Sequence, residues 1–138
     1  MISAILRNDF VKLPKVVFYS SIAMNNSSSI AMTTISTENN YLTLINIFTV
    51  NPADQQQLID LLIQATQIVK EQPGFISSSL HRSLDGGKVT MYAQWESIDH
   101  YNQMRSNSSA SPFLEQAMKI ASFEPDMYEV VASFTPSS

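Results

Sequence analysis

The sequence predicts an α+β domain with the element order β-α-β-β-α-β. Three observations carry the prediction. Four segments, 41–50, 75–83, 88–95 and 127–134, are rich in β-branched and aromatic residues or alternate apolar with polar ones, as strands do. Apolar residues at helical spacing follow Asn51-Pro52 and recur between Ser97 and about Ser122. Turn residues separate these runs at Pro73-Gly74 and at Asp85-Gly86-Gly87.

In YLTLINIFTV (41–50), Thr43 and Asn46 are the only polar residues before Thr49. Asn51 then offers an N-cap, Pro52 a first helical residue and Asp54 an acid in the first turn. Leu58, Leu61, Leu62, Ala65, Ile68 and Val69 make one apolar stripe, and Pro73 ends the helix because it cannot extend the hydrogen-bond ladder. FISSSLHRS (75–83) and KVTMYAQW (88–95) read as a hairpin joined through Leu84–Gly87, whose glycines supply positive φ. Ser97 caps a helix toward Arg105, SNSSAS (106–111) is a loop, and a further helix runs from Pro112 to about Ser122. Pro125 leads into MYEVVASF (127–134), which places Tyr128, Val130, Ala132 and Phe134 on one face.

This order is the split βαβ, or ferredoxin-like, arrangement, with the helices on one face of a four-stranded antiparallel sheet. The first strand is apolar on both faces, with Leu44, Phe48 and Val50 on one and Ile45 and Ile47 on the other. The sheet face without helices therefore needs a cover, and a homodimer packed sheet to sheet is expected.

At 138 residues the chain has room for one main core. A formal net charge of −4 argues against nucleic acid as a partner, because phosphate binding needs a basic face. The absence of cysteine removes disulfides, thiol nucleophiles and Cys-ligated metals. With only two histidines, His81 and His100, no metal site is expected. No apolar run approaches the roughly 20 residues of a membrane span, and a cytoplasmic protein is expected. Residues 1–40 include the aperiodic stretch NNSSSIAMTTISTENN and are read as a disordered or weakly ordered extension before a domain at 41–135. Arg7, Lys12 and Lys15 allow a targeting segment, but Asp9 and Pro14 interrupt it; a true start at Met24 or Met32 is the other reading.

The strand LTLINIFTV, the helix opening NPADQQQLIDLL, PGF (73–75), SLHRSLDGGKV (79–89), YAQWES (92–97) and FEPDMYEV (123–130) together resemble the antibiotic biosynthesis monooxygenase (ABM) family. The resemblance implies a dimeric α+β barrel and, for its quinone-forming members, oxidation of polycyclic phenols by O2 without a cofactor. It also admits haem-degrading relatives and members that only bind a small ligand. The cofactor-free chemistry needs a phenol turned into its anion, polar groups that stabilise that anion, and a dry apolar pocket beside O2. The ligand expected is therefore small and apolar or aromatic.

Four residues are candidates for catalysis. Trp95 is either a strand-end core aromatic or a pocket wall whose N–H faces the substrate, and the resemblance favours the wall. Asn46 is either satisfied by nearby backbone or an amide donor to a bound oxygen. His81 is either a surface histidine or the proton acceptor. A three-residue Asp85–Gly87 loop would set His81 opposite Met91 on the face of Trp95, and a two-residue loop would turn it to the other face. Tyr101, matched by a tyrosine of the quinone-forming members, either packs its helix or positions the phenol. Met91, Ala93, Ser79 and Phe48 are expected to contact the substrate. The chain departs from the family pattern in two ways: Met91 stands where quinone-forming members carry asparagine, and no arginine clearly matches their catalytic one. His100 does not align with the iron ligand of the haem-degrading members.

Overall fold

In the computed structural model, which describes residues 32–137, four antiparallel strands form one sheet. They are β1 (Leu42–Val50), β2 (Phe75–Arg82), β3 (Lys88–Trp95) and β4 (Ala121–Tyr128), ordered β2-β3-β1-β4 across the sheet. Helices α1 (Gln55–Val69), α2 (Ile98–Ser106) and α3 (Ser111–Met118) pack on one face. This is the expected ferredoxin-like α+β arrangement. The expectations placed on residues 1–31 fall outside the described residues, and the compact unit that holds the sheet begins at Thr33.

Local chemistry explains the helix starts. The Asn51 side chain accepts the Ala53 N–H at 3.0 Å, above a short 3-10 turn at Pro52–Asp54 that feeds α1. Ser97 caps α2 by accepting the His100 N–H at 3.2 Å. The stripe of α1 buries Leu58 and Leu62 completely against Phe48, Val50, Val89 and Ala117. Each such leucine contributes about 1.5–3 kcal/mol by leaving water. A second cluster joins Leu44, Ala93, Trp95 and Tyr101.

The β2–β3 hairpin differs from the three-residue loop that would have put His81 beside Trp95. Ser83 pairs with Lys88, its N–H donating to the Lys88 carbonyl at 3.0 Å, so the loop is the four residues Leu84–Gly87. An even loop length reverses the face of the β2 residues from Ser77 to Arg82 relative to a three-residue loop, and a bulge between Phe75 and Ser77 returns Phe75 to the side of Trp95. His81 therefore pairs with Thr90, and Leu80 lies opposite Met91. Asp85 holds the turn: its carboxylate accepts from Gly87 N–H at 2.9 Å and Ser83 hydroxyl at 2.7 Å, with Gly86 at φ +85°. Chiefly the Gly87 N–H, and then the Ser83 hydroxyl, hold the Asp85 carboxyl below its usual range. Gln55, buried at the start of α1, clamps the same loop by donating to the carbonyls of Ser83 (3.1 Å) and Lys88 (2.9 Å).

The last strand also departs from expectation. β4 is Ala121–Tyr128, not 127–134, and α3 ends at Met118 rather than near Ser122. Pro125 lies inside β4, opposite Asn46, where it was read as a separator. A strand at the sheet edge tolerates proline, since one side of its ladder has no partner to donate to. Residues 129–137 have no regular structure, and Val131 and Phe134 are exposed.

The face without helices carries Ile45 and Ile47 of β1, Tyr92 and Gln94 of β3, and Ser77, Ser79 and His81 of β2. Residues 33–34 bind one end of it. Thr33 hydroxyl donates to Ser77 (3.1 Å), Ser77 donates to Gln94 (2.8 Å), and the Gln94 amide donates to the Thr34 carbonyl (2.8 Å). This chain explains how Gln94 is buried on an otherwise open face. Among the described residues, no helix is long and apolar enough to cross a membrane.

Candidate functional site

A cavity of about 400 Å³ opens between the sheet and the helices. The two-residue period of β1 points Leu44, Asn46 and Phe48 into it. Cross-strand register adds Met91 opposite Asn46 and Phe123 opposite Phe48. Leu62, Ala65 and Ile68 of α1, Tyr101, Met104 and Arg105 of α2, and Leu114, Glu115 and Ala117 of α3 complete most of the wall. The lining is mostly apolar with a few polar groups, the usual make-up of a small-molecule site.

Tyr101 is the pivot. Its ring meets Trp95 edge-on, with centroids 5.9 Å apart, and Trp95 in turn meets Phe75 edge-on at 5.3 Å. The Tyr101 hydroxyl accepts a hydrogen bond from Arg105 Nη1 at 3.1 Å, and the guanidinium lies 5.9 Å from the tyrosine ring centre. The two residues are one helical turn apart, which is why they meet.

Asn46 presents an anomaly. Its Oδ1 is buried and has no hydrogen-bond partner among the described residues. Its cross-strand neighbours are Met91 and Pro125, and neither side chain carries a donor. Such an unpaired group costs about 1–3 kcal/mol, and a ligand that met it would recover this.

The eight candidate residues divide three ways. Asn46, Phe48, Met91 and Tyr101 line the cavity together. Trp95 and Ala93 are buried behind Tyr101 in the second cluster and do not form part of the wall. Trp95 reaches the site through the Tyr101 ring. His81 and Ser79 are corrected to the opposite sheet face, facing with Thr90 and Tyr92, because of the four-residue loop. His81 Nε2 is there 2.9 Å from Ser79 Oγ. Both border a separate cleft of about 390 Å³ along the β2 edge, beside Ile59 and Ile63 of α1.

His100 lies outside the cavity wall. Its Nδ1 is 2.8 Å from Ser97 Oγ and its Nε2 is 3.6 Å from Glu96, so it serves the start of α2. Among the described residues, no three His, Asp or Glu side chains gather as metal ligands would. Arg105 and Glu115 were missed from sequence. Arg105 carried one signal, its spacing of four from Tyr101; Glu115 carried none, since only the packing of α3 brings it to the cavity.

Comparison with known proteins bears on this site. A family model described as antibiotic biosynthesis monooxygenase matches residues 41–116. The tetracenomycin-F1 monooxygenase of Streptomyces glaucescens is 35% identical over 108 residues, which cover 78% of this chain and 96% of that protein. The structure is similar to a Streptomyces coelicolor monooxygenase from the gene ActVA-Orf6, solved with nanaomycin D. The TM-score is 0.64 at 25% identity, over 74% of this chain and 99% of that one. SnoaB, a cofactor-independent oxygenase of Streptomyces nogalater, shares the fold with a TM-score of 0.62 at 19% identity, over 71% of this chain and 100% of that one.

Proposed function

The chain belongs to the antibiotic biosynthesis monooxygenase family, and from that premise we propose that it is a cofactor-independent monooxygenase. Its substrate would be a small aromatic, polyketide-like phenol. The observation that carries this reading is the apolar cavity between sheet and helices, with Tyr101 and the unpaired Asn46 on its wall.

The reaction suits such a cavity. An anthrone-type phenol carries a ring methylene beside its oxygenated rings. Loss of one proton leaves an electron-rich anion that reacts with O2. One oxygen atom becomes the new quinone carbonyl. The other leaves as water with the two methylene hydrogens, and all four electrons come from the substrate. The residues' part is to bind the ring system, keep water away and stabilise the anion. In this reading the Tyr101 hydroxyl serves the last task, and the Asn46 Oδ1, an acceptor, takes a hydrogen bond from a hydroxyl of the ligand. Trp95 holds the Tyr101 ring from behind. His81, on the other sheet face of the same subunit, is not assigned as the base.

Oxygen consumption with 1,8-dihydroxyanthrone and related phenols tests this reading. Uptake above buffer, unaffected by chelator and without added flavin, is expected. Wild-type protein that consumes no oxygen across the panel would sink it.

The same reading includes a homodimer packed sheet to sheet. It is supported by Ile45 and Ile47 on the face without helices and by the exposed side chains of Val131 and Phe134 beyond β4. Light scattering at micromolar concentration tests it, and a monomer would contradict it.

A further inference from the structure

We propose that Arg105 is the anion-binding residue of the cavity: it holds an acidic oxygen of the ligand as its oxyanion, beside the Tyr101 hydroxyl. This rests on reading the cavity as the oxygenase site and names the ligand class more narrowly, as a polycyclic phenol acidic enough to be held ionised near neutral pH.

Four observations converge. Arg105 lines a largely apolar cavity while its residue stays exposed to solvent. No carboxylate is within salt-bridge distance of it among the described residues, Glu115 included, although Glu115 lines the same cavity. A guanidinium has five N–H donors, and the one hydrogen bond Arg105 makes to a described residue runs from Nη1 to Tyr101. Finally, because the Tyr101 oxygen accepts that bond, its own proton is left to donate elsewhere, and no described residue receives it.

A position in the last turn of α2 accounts for a cation there, since it opposes the partial negative charge of the helix end. That alone does not account for a guanidinium turned onto a tyrosine of the cavity wall. Together the two groups present a cation and a free O–H to one ligand oxygen. When a phenol binds there, its O–H bond breaks, the proton leaves to solvent and the electron pair stays on oxygen. An opposite charge within a few ångströms lowers an acid's pKa by about 1–3 units, and beside an exposed guanidinium the lower end, about one unit, applies.

The probe is 1,2-dihydroxyanthraquinone, already a quinone and therefore not turned over, whose phenol ionisation changes its visible spectrum. Bound to wild-type protein, it should ionise about one unit or more below its value in buffer, a tenfold change in the proton equilibrium. Arg105→Gln should lose that shift and bind about tenfold more weakly at neutral pH, whereas Arg105→Lys should keep most of the shift. Arg105→Met serves as a second neutral variant should glutamine disturb α2. Failure of wild-type protein to bind the probe, an unshifted titration in wild type, or an unchanged shift in a neutral variant overturns the proposal. Oxygen uptake on anthrones is scored separately. Uptake without the shift rejects only the role of Arg105; the shift without uptake rejects only the oxygenase reading.

Discussion

Gly74 is where one added methyl group should do most damage, and the structure says why. Its φ is +84°, a left-handed conformation that costs an L-residue about 1–2 kcal/mol. A β-carbon there would also run into the side chain of His100. Both the β-carbon and the ring of His100 lie in the way, so the start of α2 would have to shift, and the imidazole would give up its 2.8 Å hydrogen bond to Ser97, worth about 1 kcal/mol. Gly74→Ala should therefore lose about 2–3 kcal/mol. The consequence reaches the site, because the Gly74 carbonyl accepts the Glu96 N–H at 2.7 Å and Phe75 packs on Trp95. The assay is urea unfolding at fixed protein concentration, followed by the fluorescence of Trp95, the sole tryptophan. In a His100→Gly background, which takes away the β-carbon as well as the ring, the collision is gone, and the same change should cost only the backbone term of about 1–2 kcal/mol. Equal losses in both backgrounds would refute the collision.

Three further outcomes are expected. Gln55→Ala removes both clamps on the hairpin loop and should lower stability by about 1–2 kcal/mol in the same unfolding assay, without changing the fold seen by circular dichroism. The Asp85 carboxyl lies below its ordinary value near 3.8 in the folded chain, so its contribution is present above that value and lost as pH falls through the folded one; acid unfolding of Asp85→Asn should show a weaker dependence on pH there than wild type. Ending the chain after Tyr128 removes the exposed Val131 and Phe134 and should shift a homodimer toward monomer in sedimentation velocity, while far-ultraviolet circular dichroism stays close to that of the full chain.

Much of the fold was legible because its signals are local. Alternation in 41–50 and 88–95, the Asn51-Pro52 start, the Ser97 cap and the Pro73-Gly74 stop each depend on a few neighbouring residues, and each stands close to where it was read. The chain from β1 to Trp95 is nearly all of this kind. The end of the domain was not, because Pro125 looks like a breaker until the strand that holds it is known to be an edge.

The amino-acid order by itself determined the α+β class, the sequence of elements, and that Leu44, Asn46 and Phe48 share one face of β1, while Tyr101 was singled out only by the family resemblance. The class, the elements and the shared face follow from periods of 2 and 3.6, which each segment carries within itself. Only tertiary structure decided which face His81 takes, that Trp95 stands behind the wall, and that Arg105 and Glu115 belong to it. The physical reason is that those facts depend on parity and on contact between distant segments. One residue more or less in a hairpin loop reverses a whole strand, and no local pattern records how α3 settles against the sheet.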